Sequence, residues 1–158
     1  MASKPELYRD VAAELEALFA GETDALANTA NFSALLFQHL PGLNWVGFYL
    51  RRGDELVLGP FQGKMACVRI ALGRGVCGTA AVRRETVVVP DVHEFPGHIA
   101  CDSASRSEIV VPLIQDGTLL GVLDVDSPEL ARFDAEDAAG LERAARILLE
   151  RSDFSRLV

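Results

Sequence analysis

Residues 108–126 read "EIVVPLIQDGTLLGVLDVD". Two apolar runs of strand length flank Asp116-Gly117, a dipeptide that suits both central positions of a type I′ turn, where φ is positive. The stretch therefore folds back on itself as an antiparallel hairpin. A second hairpin is expected at 44–59, where "NWVGFYL" alternates and "RRGDEL" supplies a Gly-Asp turn into "ELVLG". Shorter strands are expected at 66–72 ("ACVRIAL") and at "TVVVP", with a glycine turn and a short helix, "GRGVCGTAAVRRE", between them.

Helical spacing brackets these strands. Residues 4–20 place Leu7, Val11, Leu15, Leu18 and Phe19 on one stripe, and 24–39 predicts a helix with Leu26, Ala30, Leu36, Phe37 and Leu40 on its apolar side. "LPG" at 40–42 stops it. Near the C-terminus Asp134 caps a helix, with Phe133 as a staple and Asp137 three positions on, and Leu141, Ala145, Leu148 and Leu149 form the stripe. Tight strand connections and flanking helices predict an α+β fold: a single domain with a central six-stranded antiparallel sheet and helices packed mainly on one face.

The formal net charge of -8 argues against a nucleic-acid partner. No apolar run approaches the ~20 residues that span a membrane. "MASKPELYRD" has no signal-peptide core, so a cytoplasmic protein is expected. Three widely spaced cysteines, Cys67, Cys77 and Cys101, make a poor structural disulfide framework.

Strand parity sorts the chemistry. In "NWVGFYL", Trp45, Gly47 and Tyr49 share one face and Val46, Phe48 and Leu50 the other. The glycine between two aromatics is either a cradle for a small ligand or a packing gap on the helix-covered core face. In "LLGVLDVD", Leu120, Val122, Asp124 and Asp126 fall on one face, and the hairpin brings Glu108 opposite. Three carboxylates at one corner repel unless a proton or a cation sits among them; the plainer alternative is an ordinary strand end. Cys101 lies in the polar loop 91–107 that returns to this corner. The loop gives it access, and Arg106, His93 or His98 is expected to lower its pKa. Asp91, His93, His98 and Cys101 are all metal-ligand types, but their spacing matches no metal site, and none is expected. Cys67 and Cys77 are either inert or able to trap a sulfenic acid.

The stretches "NWVGFYL", "LGPFQGKMACVRIALGRGVCGTAA", "VPDVHEFPGHIACDSASRSEIVVPL" and "GVLDVDSP", in this order, resemble the free methionine-(R)-sulfoxide reductases, which are stand-alone GAF-domain enzymes. The resemblance covers nearly the whole chain. It implies one GAF-like domain over 1–158, with N-terminal helices in 1–40, the sheet and active-site loops in 44–126 and a C-terminal helix in 134–152. It implies reduction of free L-methionine-(R)-sulfoxide, with Cys101 as nucleophile, Cys67 as resolving cysteine and Cys77 in an auxiliary role. Glu108, Asp124 and Asp126 become the acidic ligands, and Trp45 and Tyr49 the aromatic wall. Glu108 and Asp126 are expected to hold the sulfoxide oxygen and share a proton. Asp124 is expected to hold the ammonium or orient that pair. A thioredoxin-type reductant would recycle the disulfide, no cofactor or metal is required, and a homodimer is compatible. The rival readings are a non-catalytic GAF small-ligand sensor and a thiol redox sensor.

Overall fold

In the computed structural model of the chain, residues 2–99 and 103–158 are described. Ser3 caps the first helix by accepting from the Glu6 amide, and Pro5 sits in its first turn, where its missing N–H costs nothing. The elements are helix α1 (Lys4–Leu18), helix α2 (Ala25–His39), strands β1 (Trp45–Arg52), β2 (Glu55–Gly63) and β3 (Arg69–Ala71), helix α3 (Gly75–Arg83), strand β4 (Val87–Val89), a 3₁₀ turn (Val92–Glu94), strands β5 (Ser107–Gln115) and β6 (Thr118–Ser127), and helix α4 (Ala135–Arg151). The sheet runs β3-β2-β1-β6-β5-β4, and every neighbouring pair is antiparallel.

The expected α+β fold is therefore the observed one. Asp116 and Gly117 both have positive φ (51° and 77°), as the type I′ turn requires. The expected capping box at the start of α4 is present, with Asp134 and Asp137 each satisfying the other's backbone N–H.

Two cores lie on opposite faces of the sheet. Val46, Phe48, Leu50, Ile109, Val111, Leu123 and Val125 pack against α1, α2 and α4. Trp45, Tyr49, Val110 and Val122 pack on the other face with α3, through Val76, Cys77, Ala80 and Ala81. The face carrying Trp45 and Tyr49 is therefore not the one covered by the three long helices.

Four expectations need correction. In α2, Leu26, Ala30 and Phe37 are exposed, while Asn28, Thr29 and Ser33 are buried. Thr29 and Ser33 are satisfied within the helix, Thr29 Oγ1 donating to the Ala25 carbonyl (2.7 Å) and Ser33 Oγ to the Thr29 carbonyl (2.8 Å), while Asn28 Nδ2 donates to the Glu22 carbonyl (3.0 Å) and to Ser152 Oγ (2.9 Å). In α1, Leu18 faces solvent and Tyr8 takes a place in the core. β3 is only three residues long, because 64–67 is drawn off the sheet edge by the site aromatics, as described below. Finally, Leu120 is on the helix-side core, not on the face of Val122, Asp124 and Asp126. Leu113 pairs with Gly121 but Ile114 with Leu119, so Leu120 is the extra residue of a β-bulge and parity reverses there. Gly121 is required at this point: a Cβ would lie 2.2 Å from the Tyr49 carbonyl oxygen.

Candidate active site

Register assembles the site. Trp45 on β1 pairs with Asp126 on β6, and Asp126 pairs with Glu108 on β5. One row further along, Gly47 pairs with Asp124. Side chains two apart on a strand share a face, so Asp124 and Asp126 both project away from the three long helices. Glu108 joins them there. The three carboxylates expected at one corner do converge, with Trp45, Tyr49, Cys77, His98 and Ser105 around the same cavity.

The expected notch at Gly47 is not an open cradle. A Cβ there would lie 2.3 Å from Phe61 Cβ and 2.8 Å from Trp45 Cη2, so the space belongs to neighbouring rings. Gly47 lets Trp45 lie flat between Tyr49 (centroids 6.0 Å apart) and Phe61 (5.2 Å). The aromatic wall is thus a stacked layer, with the cavity beside it. Both polar tips are tied to the segment before β3: Trp45 Nε1 donates to the Lys64 carbonyl (3.0 Å) and Tyr49 OH to the Cys67 carbonyl (2.8 Å). These two bonds hold 64–67 against the wall instead of leaving it in a strand.

The cysteines differ in state. Cys67 is half-buried and disulfide-bonded. Cys77, in the first turn of α3, is free and buried, with Sγ 3.9 Å from Glu108 Oε2. Burial, then the charges of Asp124 and Glu108, push its thiol well above the ordinary range, so it stays protonated. Cys101 lies outside the described residues. On either side of it, His98, Ile99 and Ser105 line the cavity. His98 Nε2 is 3.9 Å from Glu108 Oε1. Of the three side chains expected to act on Cys101, His98 alone lines this cavity: Arg106 is exposed, and the His93 side chain is 72% exposed beside Asp91. Asp91 caps the 3₁₀ turn by accepting from the His93 amide. The base of the loop is fixed by Val92 N–H to the Arg106 carbonyl (2.8 Å) and Arg106 N–H to the Ser127 carbonyl (2.7 Å).

The carboxylates cannot all be ionised. Desolvation, then the charges of Asp126 and Glu108, raise Asp124 well above the usual carboxylate range. Desolvation and Glu108 raise Asp126, while hydrogen bonds from Asp124 and Ser105 pull it back. Burial and mutual repulsion therefore favour a proton on the Asp124–Asp126 pair. One oxygen of each, Oδ1 of Asp124 and Oδ1 of Asp126, is buried with no hydrogen-bond partner among the described residues. Such atoms are costly unless a ligand supplies the donor. Cys77, Glu108 and Asp124 each present one donor atom within 4.8 Å of the others.

The trio carries a stability cost with a definite pH dependence. A carboxyl whose folded pKa is raised contributes stability present below its unfolded pKa, about 3.9, and lost as pH rises through the folded value. Asp124→Asn is therefore expected to melt higher than the parent at pH 8, by about 3 °C or more, the shift of roughly 1 kcal/mol in a chain this long. The gap should shrink as pH falls towards 5 in thermal melts. A variant that melts lower at pH 8 would show that the buried carboxyl is not under strain.

Sequence reasoning missed Ser105, Arg74 and Ile99 as cavity residues. Arg74 and Ile99 belong to separate segments that approach the sheet only in three dimensions, and no local pattern marks them.

Comparison with known proteins shows what the whole chain is similar to. A family model described as "GAF domain" matches residues 14–148. The free methionine-R-sulfoxide reductase of Escherichia coli is 56% identical over 141 residues, 89% of this chain and 86% of that protein. The enzyme of the same name from Saccharomyces cerevisiae is 44% identical, over 92% of this chain and 86% of that one. The X-ray structure of free methionine-R-sulfoxide reductase from Neisseria meningitidis in complex with its substrate superposes with a TM-score of 0.92 at 54% identity, covering 96% of this chain and 91% of that one.

Proposed function

The chain belongs to the GAF-domain family of free methionine-R-sulfoxide reductases, and on that premise we propose that it reduces free L-methionine-(R)-sulfoxide to L-methionine through a sulfenic acid on Cys101. The observation that carries this reading is the convergence of Glu108, Asp124 and Asp126 on one cavity beside the stacked Trp45 and Tyr49 rings.

A sulfoxide sulfur is a weak electrophile until its oxygen is protonated or strongly hydrogen-bonded. Glu108 and Asp126 hold that oxygen, and the trio supplies the proton. Asp124 hands its proton into the pair or takes the substrate ammonium on its unpartnered oxygen. The Trp45 indole covers the S-methyl group. The Cys101 thiolate attacks sulfur, the S–O bond breaks, and oxygen passes to Cys101 as methionine leaves. The Cys67 thiol then attacks the sulfenic sulfur, and water departs as the disulfide forms. A thioredoxin-type dithiol reduces the disulfide by two-step exchange and supplies the two electrons. The participation of Cys67 in a disulfide, with Cys77 free and protonated, supports this division of roles. Cys77 then serves an auxiliary part, its thiol lying against Glu108. A catalytic disulfide of this kind suits the cytosol. Among the described residues no helix is long and apolar enough to cross a membrane.

With the cavity lined by the sheet, the start of α3 and His98, Ile99 and Ser105, no room is expected for chain on both the amine and the carboxylate of the substrate. Free methionine-(R)-sulfoxide should turn over with dithiothreitol, while the S-epimer and a sulfoxide within a peptide should show negligible turnover. Efficient turnover of the peptide would overturn the reading. Ligand binding without turnover would favour a sensor.

A further inference from the structure

Ser105 and Asn44 do no chemistry in the mechanism above, yet they stand where the loop meets the acid trio. Ser105 is 6% exposed and lines the cavity. Its Oγ accepts a hydrogen bond from Asn44 Nδ2 at 3.0 Å. Asn44 immediately precedes β1, and its backbone N–H donates to the carbonyl of Asp126 at 3.0 Å. Arg106, the next residue after Ser105, donates its N–H to the Ser127 carbonyl at 2.7 Å. These backbone bonds tie the loop at Arg106 and the residue before β1 at Asn44 to the same end of β6, which carries Asp126.

A serine hydroxyl has one proton to donate. With Asn44 donating to Oγ, that proton is free to be directed elsewhere. The geometry points to Asn44 and Ser105 as a positioning relay: Asn44 orients the Ser105 hydroxyl so that it donates to Asp126, which keeps Asp126 the ionised member of the trio, able to accept a hydrogen bond from the sulfoxide oxygen once Glu108 or Asp124 has passed that oxygen a proton. The inference rests on the reductase reading and deepens it, because it divides roles among three acids that the chain sequence presents as equivalent. The influence of Ser105 on Asp126 runs in the same sense, opposing the rise caused by burial and by Glu108. The groups facing Asp126 among the described residues are Glu108 from β5, Asp124 from β6, Tyr49 from β1, Cys77 and Arg74 from the start of α3, and His98 from the loop. Ser105 and Asp124 are the two whose side-chain hydrogen bonds lower Asp126. The relay also ties proton placement to loop position, since Ser105 is four residues from Cys101 in the same segment.

The test is the pH dependence of kcat/KM for free methionine-(R)-sulfoxide with dithiothreitol, in the parent, Ser105→Ala, Asn44→Ala and the double variant. Losing the hydroxyl donor makes Asp126 take up a proton at higher pH. The acidic limb of Ser105→Ala should therefore move up by about half to one pH unit, the effect of one neutral hydrogen bond. That shift lowers kcat/KM about 3- to 10-fold at pH 6 and less than about twofold at pH 8.5. Asn44→Ala should move the limb in the same direction by less, and the double variant should match Ser105→Ala, because the two side chains act in series. A loss of the same factor at every pH would mark a merely structural role and overturn the proposal. So would additive shifts in the double variant. If Ser105→Ala does not fold, Asn44→Ala gives the same reading through its limb. A parent with no turnover would count against the reductase assignment, not against the relay.

Discussion

Replacing Cys101 with serine is expected to abolish reduction of free methionine-(R)-sulfoxide with either dithiothreitol or thioredoxin, a loss of at least about 10³-fold. A serine hydroxyl is not ionised near neutral pH, and it cannot take oxygen from sulfur and release it to a thiol. Neither remaining cysteine can stand in. Cys77 is buried and held as a neutral thiol, and the backbone of Cys67 is pinned through its carbonyl to Tyr49. Cys67→Ser should behave differently. It should retain turnover with dithiothreitol, a small thiol able to reach the sulfenic acid, and lose most of it with thioredoxin, which needs a disulfide to exchange with. Steady-state assays with both reductants on the three single Cys→Ser variants read this pattern. An active Cys101→Ser would overturn the mechanism.

The second large effect concerns stability. The carboxylate of Asp137 is 1% exposed and collects four donors: Lys4 Nζ at 2.6 Å, Tyr8 OH at 2.8 Å, Arg132 Nη1 at 3.4 Å and the Asp134 N–H at 2.9 Å. It thereby ties α1 to the start of α4. The Tyr8 ring reaches this point only because Gly140, one turn along α4, has no side chain; a Cβ there would sit 2.1 Å from Tyr8 Cγ. Asp137→Ala strands a buried hydroxyl and two cations, and breaking such a pair costs about 3–5 kcal/mol. In a chain of this size that lowers the melting temperature by about 10 °C or more. Asp137→Asn keeps an acceptor and should lose less. Turnover at low temperature should survive in both, because the network lies on the helix side of the sheet, away from the cavity. A change in unfolding free energy under about 1 kcal/mol by denaturant titration would contradict this account.

What could be read in advance depended on the range of the interactions involved. The hairpin at 108–126 was legible because a type I′ turn and period-2 alternation are local properties. Parity alone placed Asp124 and Asp126 on one face and Glu108 opposite them. The same rule failed at Leu120, where a bulge shifts the register, and nothing in "LLG" announces that extra residue. The apolar side of α2 was misread for a related reason. Thr29 and Ser33 bury well because each bonds the carbonyl four residues back, which a count of apolar residues does not register. The resemblance covered the cysteines, carboxylates and aromatics, which recur in recognisable stretches. It assigned no role to Ser105 or Asn44, although both lie in those stretches, because their contact with each other and with the acidic corner is made only in three dimensions.

The amino-acid sequence by itself determined the strands, the hairpins, the caps and the pairing of Glu108 with the acidic end of β6. These follow from backbone dihedrals and from side chains alternating along a strand. Only the tertiary structure decided which face of the sheet the long helices cover, that Phe61 fills the space at Gly47, and that Cys77 rests as a protonated thiol against Glu108. The raised pKa values of Asp124 and Asp126 were likewise decided there. Charge and desolvation act through space, and residues 45, 77, 105, 108 and 126 become neighbours only when the sheet, α3 and the loop have closed on one another.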